Sequence, residues 1–309
     1  MKATRLIALI LIVIALVAGT LYYGFPGTVA TLARHAELAA ADLHTENIQV
    51  GDHRIHYAIG GSGETVLMLH GFAADLYSWP RMARSLTTHY RVVAPDLPGF
   101  GLSSQVPSDN YDIAHQVERV RAFMDRLGIK QAHLVGNSMG GWIAADFAAR
   151  YPDRVKTLTL IDTGGITTPR PSVLMKDLEA GRNPLVVHNN ADFDRLLNLV
   201  FYRQPWLPTP LKKYFADEAI THAPFNDKIF NDLKDNYLAL EPLLPAIKMP
   251  TLVIWGAHDH IIDPTAVRVL QAGLPNVTVK ILNTGHAPML EQPLATADEF
   301  LDFLKAHGD

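Results

Sequence analysis

The sequence predicts an α/β domain: a mostly parallel, doubly wound sheet with an inserted helical cap, preceded by an apolar N-terminal helix. Three observations carry this. Short apolar or β-branched runs alternate with segments of helical periodicity over most of the chain, as in sheets covered by helices on both faces. One long interval, 164–249, breaks that rhythm. The first two dozen residues differ in composition from everything after them. The 309 residues suffice for one large domain with an insertion. With 48% hydrophobic and 19% charged residues, a packed core is expected and wholesale disorder is not.

The N-terminal element comes first. After Lys2 and Arg5 no charged side chain occurs from Leu6 to Ala33, and Leu6 to Tyr23 is almost all Leu, Ile, Val and Ala. A helix over that stretch reaches about 27 Å, close to the roughly 30 Å hydrocarbon core of a bilayer. Tyr22, Tyr23 and Phe25 then stand at the interfacial level, and Pro26-Gly27 ends the helix. Residues 1–25 read as a transmembrane anchor, with Lys2 and Arg5 keeping the N-terminus cytoplasmic. The expected location is the inner membrane, with the remaining chain in the periplasm. A cleaved signal peptide, with Val17 and Gly19 before the cut, is the competing reading. It too places the remaining chain outside the cytoplasm. Ala15 and Gly19 form a small-xxx-small pair that permits helix pairing, and so a homodimer through this helix. Residues 26–46 read as a juxtamembrane helix or linker. Val29, Leu32, Ala36, Ala39 and Leu43 recur at helical spacing, suited either to a membrane surface or to the globular domain.

From residue 47 the core begins, expected over 47–163 and 250–309. Arg54–Ile59 alternates as a half-buried strand. Thr65–His70, Tyr90–Asp96, Ala132–Asn137, Thr157–Asp162, Thr251–Gly256 and Val277–Leu282 read as buried strands. Ser78–Thr87, Tyr111–Leu127, Met139–Tyr151, Pro264–Ala272 and Pro293–His307 read as helices. Between 164 and 249, roughly 85 residues exceed any simple loop and read as a helical cap, with helices over Asp192–Phe201 and Asp227–Leu240. Trp206, Leu207, Phe215 and Phe225 face lipid, line a cleft, or form the cap's own core.

A net charge of −4 without basic clusters argues against nucleic-acid binding. The absence of cysteine excludes disulfides, thiolate metal sites and a catalytic thiol.

One motif carries chemistry. Gly136-Asn137-Ser138-Met139-Gly140-Gly141 follows a strand and opens a helix, the context in which G-x-S-x-G forms a nucleophile elbow. A serine hydroxyl needs a base held by an acid. Among 14 histidines, His286 is the one placed after the last strand. Asp259 follows the preceding strand, and both lie beyond carboxyl ends of strands, where an open α/β sheet places ligands. Asp263, before Pro264, reads as a helix N-cap, and Asp162, at an earlier strand end, is the reserve acid. An oxyanion hole needs two amides; Met139 supplies one, and Phe72, after His70-Gly71, the other. His70 reads as a structural hydrogen-bonder. Asp96-Leu97-Pro98-Gly99-Phe100-Gly101 reads as a turn beneath the pocket and lacks the spacing of a phosphate loop.

In order and spacing, His70-Gly71-Phe72, Asp96-Leu97-Pro98-Gly99-Phe100-Gly101, the Ser138 elbow, Asp259 and His286 resemble the α/β-hydrolase superfamily. The match covers nearly everything after residue 47. Asn137-Ser138-Met139-Gly140-Gly141 and Asn183-Pro184-Leu185 are similar more narrowly to small bacterial lipases and to membrane-anchored monoacylglycerol lipases and phospholipases A. The resemblance implies an α/β-hydrolase fold and a Ser138–Asp259–His286 triad hydrolysing acyl esters of glycerol or glycerophospholipids, with no metal or organic cofactor. Expected partners are a lipid or small ester and the bilayer. Larger secreted lipases often carry His before the nucleophile, where this chain has Asn137, so their substrate profile does not transfer. Carbon–carbon bond hydrolysis and acyl transfer use the same fold and triad, and a ligand sensor with a vestigial triad is the reading from another class.

Overall fold

The computed structural model describes residues 5–9, 19, 20 and 22–307. Among them runs one eight-stranded sheet, in spatial order β1-β2-β4-β3-β5-β6-β7-β8. The strands are β1 (Leu43–Val50), β2 (His53–Gly60), β3 (Thr65–Leu69), β4 (Arg91–Pro95), β5 (Ala132–Asn137), β6 (Val155–Ile161), β7 (Thr251–Gly256) and β8 (Val277–Leu282). β1, β2 and β4 pair antiparallel; every later pairing is parallel. From β3 the chain moves to β4 on one side and then to β5 on the other. That reversal opens a crevice beyond the carboxyl ends of β3 and β5.

Side chains alternate across the sheet because successive strand residues point to opposite faces. Leu67 and Leu69 of β3 enter one apolar cluster with Phe123, Phe147 and Trp255. Val66 and Met68 enter the other, with Trp79, Met82 and Phe300. Helices α3 (Ile113–Arg126), α4 (Met139–Arg150) and α8 (Ala266–Gly273) cover the first face. Helices α2 (Pro80–Ala83) and α10 (Pro293–His307) cover the second. Each large side chain fully enclosed here contributes about 2–3 kcal/mol of burial.

The N-terminal helix α1 (Pro26–Ala40) has Pro26 in its first turn, where a missing amide costs nothing. It ends earlier than expected. Asp42 adopts a left-handed φ of 51°, and Leu43, expected on the helix face, opens β1 and is buried there. The apolar spacing simply runs across a turn. Among the described residues no helix is long and apolar enough to cross a membrane. Most of the expected anchor, Leu6–Tyr23, lies outside the described residues, as does Ala15 of the pairing motif.

The cap holds α5 (Val173–Glu179), α6 (Asn190–Val200) and α7 (Thr209–Asp235). In place of a helix over Asp227–Leu240, α7 runs 27 residues, through Pro224, and stops at Asp235. Proline normally interrupts a helix by removing one amide bond. Here Ala216, Ala223, Asn226, Ile229 and Leu233 form a buried stripe across it, and that packing holds the helix together. α1 packs on α7: Arg34 donates two bonds to the Glu218 carboxylate, at 3.2 and 3.0 Å. Its guanidinium also stands 3.7 Å from Asp75 and 5.0 Å from the Tyr77 ring. One side chain thus ties together α1, the cap and the loop after β3.

Candidate active site

Ser138 sits between β5 and α4 with φ 55° and ψ −118°. This backbone region is unfavourable for any residue with a Cβ, and it persists only where the surroundings enforce it. They do so by close approach. A Cβ on Gly136 would lie 2.2 Å from the Gly140 carbonyl oxygen, and one on Gly140 would lie 2.1 Å from that of Leu69. The Ser138 amide donates to Ile161 at 3.0 Å, and its carbonyl accepts from Trp142 and Gly164, each at 3.0 Å. The side chain is half-buried between buried Asn137 and Met139, so its hydroxyl is reachable.

Met139 opens α4, and a first-turn amide has no acceptor in its own helix. Gly71 faces Ser138 across the crevice, its Cβ direction 3.2 Å from the Ser138 Cβ. Phe72 follows. Neither the Phe72 nor the Met139 N–H donates to another group among the described residues. The Phe72 ring stacks edge-on against Phe100 and, 6.0 Å away, Phe230 of α7, so the cap closes over this loop.

His70 holds the loop from below. Its Nδ1–H donates to the Gly71 carbonyl at 2.7 Å, and Nε2 accepts from the Leu97 amide at 2.9 Å. Only the neutral ring makes both bonds, and burial pushes its pKa down. Asp96 fixes the neighbouring turn, accepting from His56 Nδ1, Leu102 N and Leu76 N, each at 2.8 Å. The 96–101 turn is therefore a structural bracket under the 70–72 loop.

Asp259 and His286 meet. His286 Nδ1–H donates to Asp259 Oδ2 at 2.8 Å, which orients the ring and leaves Nε2 free. Asp259 Oδ1 accepts from the Ile261 and Ile262 amides at 2.8 and 3.0 Å. Both side chains are buried. Asp263 does not join them. It accepts from the Thr265 amide and hydroxyl, starting the turn into α8, and pairs with Arg170 at 2.7 Å, which hold its carboxyl down against its partial burial.

Three residues carry this arrangement through contacts that the sequence did not disclose. Asn137 Nδ2 donates to the carbonyls of Ile161 and His286, at 3.2 and 3.1 Å, joining the serine turn to the histidine loop. Glu291 accepts from the amides of Gly285, Tyr202 and Arg203, at 2.6, 3.1 and 3.0 Å. The His286 amide itself donates to Val200 of α6 at 2.7 Å. The third, Asp162, read as a reserve acid, lies against Asp259: donor atoms of Asp162, Asp259 and His286 fall within 4.8 Å of one another. With Asp259 and His286 committed to each other, that group serves poorly as a cation site. A cavity of about 360 Å³ also borders Asp259, lined by Arg170, Lys176, His258, His260 and Asp263, but neither Ser138 nor His286 reaches it.

The sheet order, the strained serine after β5 and the histidine after β8 define an α/β hydrolase. The chain belongs to the α/β-hydrolase fold family, whose model matches residues 64–293. It is 34% identical over 269 residues to Lipase 1 of Psychrobacter immobilis, covering 85% of this chain and 84% of that one. It is 32% identical over 257 residues to the monoacylglycerol lipase ABHD6 of Homo sapiens, covering 79% of this chain and 76% of that one. In structure it is similar to a membrane phospholipase A described as a bacterial virulence factor, with TM-score 0.91, 44% identity and full coverage of both chains.

Proposed function

We propose that this carboxylic ester hydrolase cleaves acyl esters of glycerol or glycerophospholipids, with Ser138, His286 and Asp259 as its catalytic triad. His286 Nε2 takes the proton of the Ser138 hydroxyl as the oxygen attacks the ester carbonyl. The Phe72 and Met139 amides stabilise the oxyanion. Asp259 holds the ring and offsets the charge it gains. Collapse of the tetrahedral intermediate returns that proton to the departing alcohol and leaves an acyl-Ser138 ester. His286 then deprotonates a water molecule as it attacks the acyl carbon, and returns that proton to the Ser138 oxygen as the ester bond breaks and the fatty acid leaves. The carrying observation is the 2.8 Å bond between His286 and Asp259, in a loop that Asn137 ties to the serine turn.

Ser138→Ala is expected to lower turnover by about four to six orders of magnitude and to abolish labelling by a fluorophosphonate probe. Retention of a tenth of the activity excludes this nucleophile. A panel of defined monoglycerides, lysophospholipids and diacyl phospholipids, read by mass spectrometry of released fatty acids, identifies the preferred ester.

The reading extends to a lipid surface. Trp206 is 86% exposed, Tyr23 75% and Phe25 57%, a rarity for aromatic side chains. Gly27 packs on Tyr214 and Arg34 on Glu218, so α1 and α7 run in the same sense. Tyr23 and Phe25 therefore sit toward the same end as Trp206, and the apolar run from Leu6 precedes them in the sequence. We place residues 1–25 in the inner membrane as an anchor, with the catalytic domain on the periplasmic face. Blotting of washed membranes distinguishes this from a shorter, released form. Trp206→Ala is expected to weaken flotation with phosphatidylethanolamine–phosphatidylglycerol vesicles and to leave hydrolysis of a soluble short-chain ester unchanged. Equal flotation of both proteins removes Trp206 from the membrane contact.

A further inference from the structure

Two carboxyl groups stand behind His286, and the mechanism uses one. Asp162 directly follows β6 with a left-handed φ of 45°, a conformation that a side chain rarely adopts unless its surroundings specify it. Its Oδ1 accepts the Gly256 amide at 2.8 Å. Its Oδ2 is buried without a hydrogen-bond partner. Asp259, adjacent, already receives the Ile261 and Ile262 amides on Oδ1 and His286 on Oδ2.

The groups facing Asp162 leave it little alternative to neutrality. Asp259 comes from the loop after β7, His286 from the loop after β8, and Glu291 from α9 (Pro288–Glu291). Two carboxyls thus share the space beside one imidazole, with Glu291 beyond them, and both Asp162 and the Asp259 side chain are fully enclosed. Two carboxylates in such a space do not both ionise. Asp259 holds three donors and Asp162 one, so the proton belongs on Asp162. An acceptor oxygen with no donor is satisfied if it carries the hydrogen itself.

We propose that Asp162 is a positioning residue, a neutral carboxylic acid whose Oδ2–H donates to the Asp259 carboxylate and fixes it against His286. Burial and the neighbouring Asp259 charge push the Asp162 carboxyl well above its ordinary range, in keeping with this. The pair then carries one negative charge, matched to the one positive charge His286 gains during acyl transfer. Without the proton the pair would carry two. Without the side chain, Asp259 would lose a donor, its charge would bear more fully on His286, and the ring would be held more loosely in orientation.

The inference rests on the triad reading, and the test separates the two. Asp162→Asn retains both bonds, its amide donating to Asp259 and its oxygen accepting from Gly256; Asp162→Ala retains neither. With a soluble ester, Asp162→Ala is expected to lower kcat by about ten- to hundredfold and to move the acid limb of the pH profile upward. Asp162→Asn recovers most of that loss and restores the limb. The infrared difference spectrum of wild type minus Asp162→Asn at pH 8 shows the carbonyl stretch of a protonated carboxyl. If that stretch is absent, or if Asn is as damaging as Ala, the proposal fails. The spectrum needs only a folded Asn variant, so it stands even if Asp162→Ala does not fold. Failure of wild type to label at Ser138 overturns the triad instead, whatever the spectrum shows.

Discussion

The turn that carries Ser138 and the loop that carries His286 are held by different parts of the molecule. The serine turn is clamped from within the sheet: its strain is enforced by glycine contacts with β3 and α4 and by amide bonds to β6. The histidine loop leans on the cap. The His286 amide bonds Val200, and Glu291 gathers Gly285 with Tyr202 and Arg203. The difference assigns separate duties. The core sets where Ser138 stands, while the position of His286 depends on how the cap is seated. The exposed Trp206 lies only a few residues beyond the segment that His286 and Glu291 hold.

Substitutions on each side test this division. Gly140→Ala drives a methyl group to 2.1 Å from the Leu69 carbonyl oxygen, which only a backbone shift relieves. Overpacking of this kind costs about 3 kcal/mol. A displacement near 1 Å of the nucleophile lowers its reactivity by about a hundredfold. Thermal unfolding and the rate of fluorophosphonate labelling are both expected to fall sharply. Unchanged labelling would mean the turn needs no such clamp. Glu291→Ala acts on the other side. It frees three amides of a carboxylate partner, two of them exposed and one half-buried, and each such bond contributes about 0.5–1.5 kcal/mol. Expected are a kcat lower by about tenfold, a smaller loss in Glu291→Gln, which keeps an acceptor, and faster proteolysis between Arg203 and Pro208. Turnover equal to wild type in Glu291→Ala would show that the cap does not set the base.

The same contrast explains what the sequence discloses. β5, β7, β8 and α10 begin and end where the sequence places them; β5 and β7 are buried along their whole length, as central parallel strands are, and β8, at the sheet edge, only partly. That Asp259 and His286 share one site follows from strand order alone. Asn137 and Glu291 were not legible. Their partners are backbone groups, and Asn137 reaches one 149 positions away, so residue identity carries no trace of the pairing. Asp162 was legible as an acid at a strand end, but not its unpartnered oxygen. The cap misled for a physical reason. Pro224 and the polar content of α7 suggest short helices, yet a buried stripe on one side sustains a single long one. Leu43 misled likewise, since helical spacing of apolar residues says nothing about a turn at Asp42.

The smallest expected effect concerns the 70–72 loop and is read in stability. His70 is fully buried, and its two hydrogen bonds require the neutral ring. In the unfolded chain a histidine takes up a proton below about pH 6.5; in the fold, burial lowers that tendency. Below that pH the unfolded state binds more protons, so the free energy of unfolding falls as pH falls, until the folded ring itself protonates. The slope approaches about 1.4 kcal/mol per pH unit at most. His70→Gln loses one of the two bonds and is expected to be less stable at pH 7.5, but to lose less on acidification. Subtracting the variant's unfolding curve from that of wild type removes the other titrating groups. A difference that stays constant from pH 7.5 to pH 5 would show that the ring beneath Phe72 protonates as freely in the fold as in the unfolded chain. The amide of Phe72 would then rest on something other than His70.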